Sequence, residues 1–308
     1  MLTHHLKVSE REAVLALAER AEAFDGVSPL NEEARIALSN GNVVHSLIER
    51  DGVLLGYLQY SPKYDTAQFV VRPSQRRGGV GEALLHESAW THEREVEGFK
   101  REECLHETTG LWAFGNLEPA RRFAAKEGFK PSRSLLIMGK ALEAPLPGPE
   151  TRFLPDGLTI RSFTEDDLPA LLEVNAQAFK DHPEQGKMDE ADFRARAASD
   201  WFDPKGLFLA FDPDGLVGFH WTKIEPGTPE IGEVYVIATA PEAQGKGVGR
   251  ALLDAGLSYL QKSGVVTVRL YVSGEEAGLV RFYEKSGFAV ASKDVLYTRS
   301  FDGRGANG

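Results

Sequence analysis

Cysteine is nearly absent from this 308-residue chain: Cys104 stands alone, which excludes an intrachain disulfide and a cysteine-based metal cluster. A single thiol of this kind reads as buried or incidental rather than as a nucleophile. Long apolar runs are missing too. None reaches the roughly 18 to 20 residues that a membrane-spanning helix needs, and Met1-Leu-Thr-His-His has neither the basic start nor the apolar core of a signal peptide. These absences set the expectation of a cytoplasmic protein without a membrane partner. Basic residues are in the minority, 35 Lys and Arg against 46 Asp and Glu, and the net charge of −11 argues against nucleic acid as the main partner. His182 and His220 lie far apart without a carboxylate framework, so they read as hydrogen-bonded structural groups, and no metal is expected. A small-molecule partner and a monomer are the expectation.

What the chain does have is glycine in two informative places. Gln244-Gly-Lys-Gly-Val-Gly249 follows the apolar run Val234-Tyr-Val-Ile237 and leads into a helical pattern beginning Arg250-Ala-Leu-Leu253. Strand, glycine loop and helix together read as a cradle for a pyrophosphate. Glycine lets backbone approach a ligand closely, and the N–H groups at a helix N-terminus offer donors and a favourable dipole to phosphate oxygens. Lys246 and Arg250 add positive charge. Arg76-Arg-Gly-Gly-Val-Gly81, followed by Glu-Ala-Leu-Leu85, repeats the arrangement, with Gly79 and Gly247 separated by 168 residues (247 − 79). A nucleotide P-loop would need Ser or Thr directly after Gly-Lys, where this chain reads Gly245-Lys246-Gly247, and a dinucleotide fingerprint would need Gly-x-Gly-x-x-Gly in a βαβ unit.

A second pair of segments follows the loops in the same order. Arg122-Phe-Ala-Ala-Lys-Glu-Gly-Phe129 matches Arg281-Phe-Tyr-Glu-Lys-Ser-Gly-Phe288 at an offset of 159 residues (281 − 122). The chain therefore reads as an internal duplication. Both loops resemble the acetyl-coenzyme A loop of the GNAT N-acetyltransferases, and both Gly-Phe segments resemble the helix that closes over the coenzyme in that family. The resemblance implies an α/β (α+β) fold of two tandem GNAT domains, each a mixed central sheet flanked by helices. At 308 residues, with 42% hydrophobic and 26% charged residues, the chain suits two domains of ordinary soluble composition. Ala141-Leu-Glu-Ala-Pro-Leu-Pro-Gly-Pro-Glu150 carries three prolines and no periodicity, as a stiff linker does. The expected division is residues 1–140, linker 141–156 and residues 157–308. Leu158-Thr-Ile-Arg161 alternates like a strand, Thr164 with an acidic first turn opens a helix, and Phe301–Gly308 reads as a frayed tail.

The halves differ chemically. Acetyl transfer from a thioester to an amine needs a neutral amine, stabilisation of developing oxyanion charge, and a proton for the departing thiolate. Tyr283 could supply that proton, and Glu233 could remove one from the amine, directly or through water; the plain alternatives are a core aromatic and a strand-edge charge. Backbone N–H groups near Val236 and Ile237 would face the thioester carbonyl. The matching first-half positions are Ala124 and Asp65, so the first half lacks the proton donor and reads as catalytically degenerate.

Four second-half strings narrow the resemblance: Ala178-Phe-Lys-Asp-His-Pro-Glu-Gln-Gly186, Trp201-Phe-Asp-Pro204, Gly218-Phe-His-Trp-Thr-Lys223 and Gly232-Glu-Val-Tyr-Val236. They are similar to the mycothiol synthase family of actinobacteria, whose members acetylate the cysteine amine of Cys-GlcN-Ins in the last step to mycothiol. The first half shares the likeness more loosely through Asp25-Gly-Val-Ser-Pro29 and Phe69-Val-Val71. The resemblance implies substrate contacts at Glu32, Glu184, Lys223, Glu233 and Tyr271. It implies acetyl-CoA contacts along Ile237, Ala238 and Thr239, along Gln244, Gly245, Lys246, Gly247, Val248, Gly249 and Arg250, and along Glu276, Ala277, Gly278, Leu279, Val280 and Arg281. A first-half counterpart would run through Phe69, Val70, Val71, Arg77, Gly78, Gly79, Val80, Gly81 and Glu82. Carboxylates and a lysine suit an acceptor with one cationic amine among many hydroxyls, although Glu32 and Glu184 also read as solvated surface charge. Glu276 departs from the family, which commonly has Asn at that helix entry. Two other readings stay open: a GNAT enzyme acting on another amine, such as an aminoglycoside or a protein N-terminus, and a non-catalytic acyl-coenzyme A binding protein.

Overall fold

The computed structural model describes residues 1–39, 41–89, 97–105, 109–143, 154–180, 185–224 and 226–299. The chain divides into two compact units that do not follow its linear halves: Met1–Leu135 joins Ser292–Gly308, and Leu136–Ala291 forms the other. Residues 144–153 of the expected linker and the whole tail from Phe301 lie outside the described residues.

In the first unit β1 (Leu2–Thr3), β2 (Val44–Arg50), β3 (Val53–Ser61), β4 (Thr66–Val71) and β5 (Gly110–Ala113) lie in that order and are followed by β12 (Ala289–Thr298). Neighbours are antiparallel except β4 and β5, which are parallel. Helix α1 (Val8–Asp25) turns Val14, Leu17, Ala18 and Ala21 inward at helical spacing and stops at Gly26, whose left-handed φ of 72° a Cβ would disfavour. Helix α2 (Glu32–Ala37) starts where the Asn31 side chain accepts the Ala34 N–H at 2.9 Å. These two helices pack against Leu54, Tyr57 and Val70 on one face of the sheet. The other face carries Leu58 and Tyr60 against Leu84 and Leu85 of α3 (Val80–Glu87) and Ala124 of α4 (Glu118–Lys126).

The last strand is a working part of this unit. Val295, Leu296 and Tyr297 pair with Ala113, Trp112 and Leu111, Asp294 accepts the Gly115 N–H at 2.6 Å, and the Tyr297 hydroxyl donates to Asn116 at 2.8 Å. A Cβ on Gly110 would stand 2.7 Å from Leu296, so that strand position favours glycine.

The second unit repeats the plan, with strand order β6 (Lys130–Ala141), β11 (Thr267–Ser273), β10 (Ile231–Thr239), β9 (Gly215–Ile224), β8 (Leu207–Asp212) and β7 (Thr159–Ser162). The β10–β11 pair is parallel, and β7 to β10 are antiparallel to their neighbours. The first-half strand contributes core here: Met138 is fully buried among Val234, Leu257, Val268 and Phe288, and the Leu142 N–H donates to the Val266 carbonyl at 2.8 Å. Thr164 and Asp167 cap a short 3₁₀ turn, after which α5 (Leu168–Ala178) begins at Leu168. Helix α5 and α6 (Glu190–Ala197) cover one face, with Phe193, Phe219, Trp221 and Val236 at the centre. Helix α7 (Val248–Lys262) and α8 (Ala277–Lys285) cover the other.

One contact fixes α7 on the sheet. His220 is fully buried; its Nδ1 lies 2.8 Å from the Leu252 carbonyl oxygen, so that nitrogen carries the proton, and burial pushes the imidazole down to about 4. A Cβ on Gly256 would stand only 2.1 Å from the ring. Glycine in mid-helix, costly by propensity, is here the residue that lets β9 approach. The mixed strand pairing with flanking helices in each unit agrees with the expected fold class.

Candidate active site

In the second unit the β10–β11 ladder runs from Ile231–Thr267 to Val234–Leu270 and stops, although both strands continue. On its other side β10 shifts register between Val234 and Val236, which leaves Tyr235 as an extra residue opposite β9. Such a bulge bends the strand and breaks the ladder locally. The stretch from Tyr235 to Thr239, which includes the expected coenzyme contacts Ile237, Ala238 and Thr239, is therefore unpaired on its β11 side, an opening in the sheet's hydrogen bonding.

That opening leads to the glycine loop. After a 3₁₀ turn at Pro241–Ala243, Gly245 takes φ 74° and Gly247 takes φ 87° as the N-cap of α7. The Ala251 N–H finds the Gly247 carbonyl at 3.0 Å, whereas the N–H groups of the first helical turn precede any carbonyl four residues back and point outward. A Cβ on Gly249 would touch Thr239 at 3.6 Å and one on Gly247 would touch Pro155 at 3.4 Å, both ordinary van der Waals contacts. Arg250 is held by Asp254 at 3.0 Å, and Lys246 stands exposed beside the loop. Outward donors, a favourable dipole and an open left-handed turn fit a pyrophosphate. α8 starts at Glu276, whose side chain makes no cap bond and whose carbonyl accepts the Val280 N–H at 3.0 Å, so Ala277 to Arg281 form its first turn and a half.

Tyr283 lies on α8 and is only 5% exposed, its ring against Phe282 and Phe288. Burial, followed by the nearby Glu276 carboxylate, holds its phenol well above the ordinary value. The hydroxyl thus stays protonated at neutral pH, the form a proton donor needs. The packing of Tyr283 is that of a core aromatic.

Glu233 and Lys223 are each 7% exposed. Their Cα atoms pair across β10 and β9, and Arg269 on β11 pairs with Glu233 from the opposite side, with Nε 3.1 Å from Oε2. The Lys223 ammonium lies over the Trp201 ring at 5.1 Å and the Tyr235 ring at 5.7 Å, which compensates part of its lost hydration. Arg196 of α6 donates to the Tyr235 hydroxyl at 3.1 Å. Tyr271, two residues beyond Arg269 on β11, is 43% exposed. Lys223, Glu233 and Arg269 are thus three charged groups in one row across three strands. Glu184 and His182 lie outside the described residues, and Glu32 is the first residue of α2 in the other unit. Among the described residues no group of three or more His, Cys, Asp or Glu could hold a metal ion, and no helix is long and apolar enough to cross a membrane. Cys104 is buried.

The first-unit loop has the same backbone and different chemistry. Gly79 takes φ 83° as the N-cap of α3, but Arg77 adopts φ 64° where the second unit has Gly245. Arg76 is bound at both guanidinium ends by Asp25 at 2.7 and 2.6 Å, and Glu82 is paired with Lys126 at the position of Arg250. Phe69 and Phe123 pack as tilted rings 5.3 Å apart, and a Cβ on Gly81 would meet both at 3.4 to 3.6 Å. Between β3 and β4 the pairing is continuous from Gly56–Val71 to Ser61–Thr66, without the bulge of the second unit. Asp65, matched to Glu233, sits in a turn before β4 and accepts from Tyr60 and Thr109 at 3.2 and 3.0 Å.

Sequence reasoning missed the bulge, Arg269 and the aromatic floor under Lys223. A polar residue in register on each of three strands was the available signal for the charge row, but it requires the strand pairing to be known.

The model of the acetyltransferase (GNAT) family matches twice, over residues 12–129 and 168–288. Mycothiol acetyltransferase of Propionibacterium freudenreichii subsp. shermanii is 42% identical over 95% of this chain and 89% of its own length. Mycothiol acetyltransferase of Thermomonospora curvata is 43% identical over 92% of each. Two solved structures share the fold at lower identity. A GCN5-related N-acetyltransferase from Sphaerobacter thermophilus has TM-score 0.67 at 21% identity and covers 96% of this chain and 94% of its own. A tandem GNAT protein from the clavulanic acid biosynthesis pathway has TM-score 0.68 at 18% identity over 94% of each chain.

Proposed function

Because this chain belongs to the GNAT acetyltransferase family and, within it, to the mycothiol acetyltransferases, we propose that it moves the acetyl group of acetyl-CoA to the cysteine amine of Cys-GlcN-Ins. Acetyl-CoA, when bound, supplies a thioester whose carbonyl carbon accepts the amine. The residues that would hold it are the Gln244–Arg250 loop, the open edge Ile237–Thr239 and the first turn of α8. We assign the reaction to the second unit and a coenzyme-holding or buttressing role to the first.

The protein's part is to position groups and to move protons. Glu233, a carboxylate fixed by Arg269, takes a proton from the acceptor nitrogen directly or through water as the C–N bond forms. Backbone N–H groups at the bulge, near Val236 and Ile237, favour negative charge on the carbonyl oxygen. As the C–S bond breaks, its electron pair stays on sulfur, and Tyr283 donates the phenolic proton that neutralises the thiolate. Lys223 and Tyr271 contact acceptor oxygens. The observation that carries the proposal is the conjunction in the second unit of a glycine loop that starts a helix with Lys246 and Arg250 beside it, the buried carboxylate of Glu233 and the phenol of Tyr283.

Incubation of the pure protein with acetyl-CoA and Cys-GlcN-Ins, followed by product mass and free thiol, tests this. Acetylation at the cysteine amine is expected, with aminoglycosides and peptides far poorer acceptors. Comparable turnover of a generic amine, or none of the cysteinyl sugar, would shift the assignment to another acceptor. A simple acyl-CoA binding protein would turn over nothing.

A further inference from the structure

We propose that Arg269 is a positioning residue of the acceptor site: it fixes the Glu233 carboxylate and, by its charge, biases a bound acceptor toward the free amine. The inference rests on the acetyl-transfer reading above and adds a residue and a pH behaviour to it. Its basis is geometric. Glu233 is paired in Cα register with Arg269 on one side and Lys223 on the other, and the Arg269 Nε lies 3.1 Å from Glu233 Oε2. Arg269 is about one-third exposed while Glu233 is buried, so the guanidinium forms the solvent-side edge of the carboxylate's surroundings.

The charged and titratable groups around this row can be named element by element. Lys223 comes from β9, Tyr271 from β11, and Arg196 from α6 through the Tyr235 hydroxyl; Glu173 of α5, which also packs against these strands, is exposed. Whatever the sum of these neighbours, one guanidinium charge at Glu233 has a fixed sign of effect. It leaves a neutral amine untouched and raises the free energy of an ammonium in the same place. An α-amine has a solution pKa of about 7.7 to 8.0, so both forms are populated near neutrality and a modest bias matters. A unit charge several ångströms away in a half-buried site is enough to move that balance by roughly one pH unit. Only the neutral form has the lone pair that attacks.

The test is the pH dependence of kcat for the wild type, Arg269→Gln and Arg269→Lys, using whichever amine the wild type acetylates, with thermal melting to confirm the fold and Arg269→Met in reserve should the Gln variant not fold. The Gln variant should move the acidic limb upward by roughly one pH unit. The Lys variant, which keeps the charge but not the planar fork, should retain the wild-type limb with kcat reduced a few-fold. A folded Gln variant with an unmoved limb, or a Lys variant that shifts as far as Gln, would overturn the assignment. Wild-type protein that acetylates no amine would instead contradict the functional reading on which it rests.

Discussion

Two loops of nearly the same backbone, Arg76–Gly81 and Gln244–Gly249, carry different side chains around the same turn. Both end on a left-handed glycine that caps a helix. In the second unit the loop follows a bulged strand, and Lys246 and Arg250 bring positive charge to it. In the first, Asp25 takes up Arg76, and Glu82 stands as an anion where the second unit has the cation Arg250. Loop geometry is the cheaper feature to preserve, because it also serves as a helix start.

The largest effect expected from this contrast is at the glycines. Gly247→Val and Gly249→Val should lower turnover by 10³-fold or more, an order-of-magnitude estimate, since the first forces a β-branched residue to positive φ and both put Cβ where backbone must meet phosphate. Gly79→Val should change melting or ligand content while steady-state turnover persists. Loss of activity in a folded Gly79→Val protein with normal coenzyme binding to the second unit would break the division.

Tyr283→Phe comes next. It removes a hydroxyl that burial keeps protonated, so kcat should fall roughly 10²-fold, with no recovery in alkali because the missing proton is not replaced by raising pH. A variant that regains wild-type kcat at high pH would reverse the roles of Tyr283 and Glu233.

Two stability measurements sharpen the comparison. Gly256→Ala should destabilise by about 1 to 3 kcal/mol, since the new methyl meets the His220 ring and either α7 or β9 must move; chemical unfolding reads this directly. Arg77→Gly should stabilise by up to about 1 kcal/mol by relieving a left-handed non-glycine backbone that its counterpart Gly245 does not suffer. An unchanged or lower midpoint in that second variant would mean that the Arg77 side chain contributes more than its backbone costs.

The loops, the Gly-Phe helices and the positions of Glu233 and Tyr283 on β10 and α8 were legible because each depends on short-range pattern: glycine before a helix, a hydrophobic run, a repeated offset. Thr164 was legible as a capping residue for the same reason, although a 3₁₀ turn precedes α5. The exchange of β12 and the end of β6 between units was not, since it rests on pairings such as Tyr297 with Leu111 that no local pattern encodes. Nor was the bulge, where the apolar run Val234–Ile237 reads the same with or without a register shift. The need for glycine at 256 was not legible either, because it comes from the His220 ring on another element.

We propose that proton removal from the acceptor amine belongs to Glu233, whereas Asp65, its counterpart, accepts hydrogen bonds from Tyr60 and Thr109 and is structural. The most direct measurement is the pH–rate profile of Glu233→Gln beside Asp65→Asn. Glu233→Gln should lose about 10²-fold in kcat near neutrality and regain part of it as rising pH deprotonates the amine unaided, whereas Asp65→Asn should keep the wild-type profile. A wild-type profile in Glu233→Gln, or a loss of that size in a folded Asp65→Asn, would contradict it.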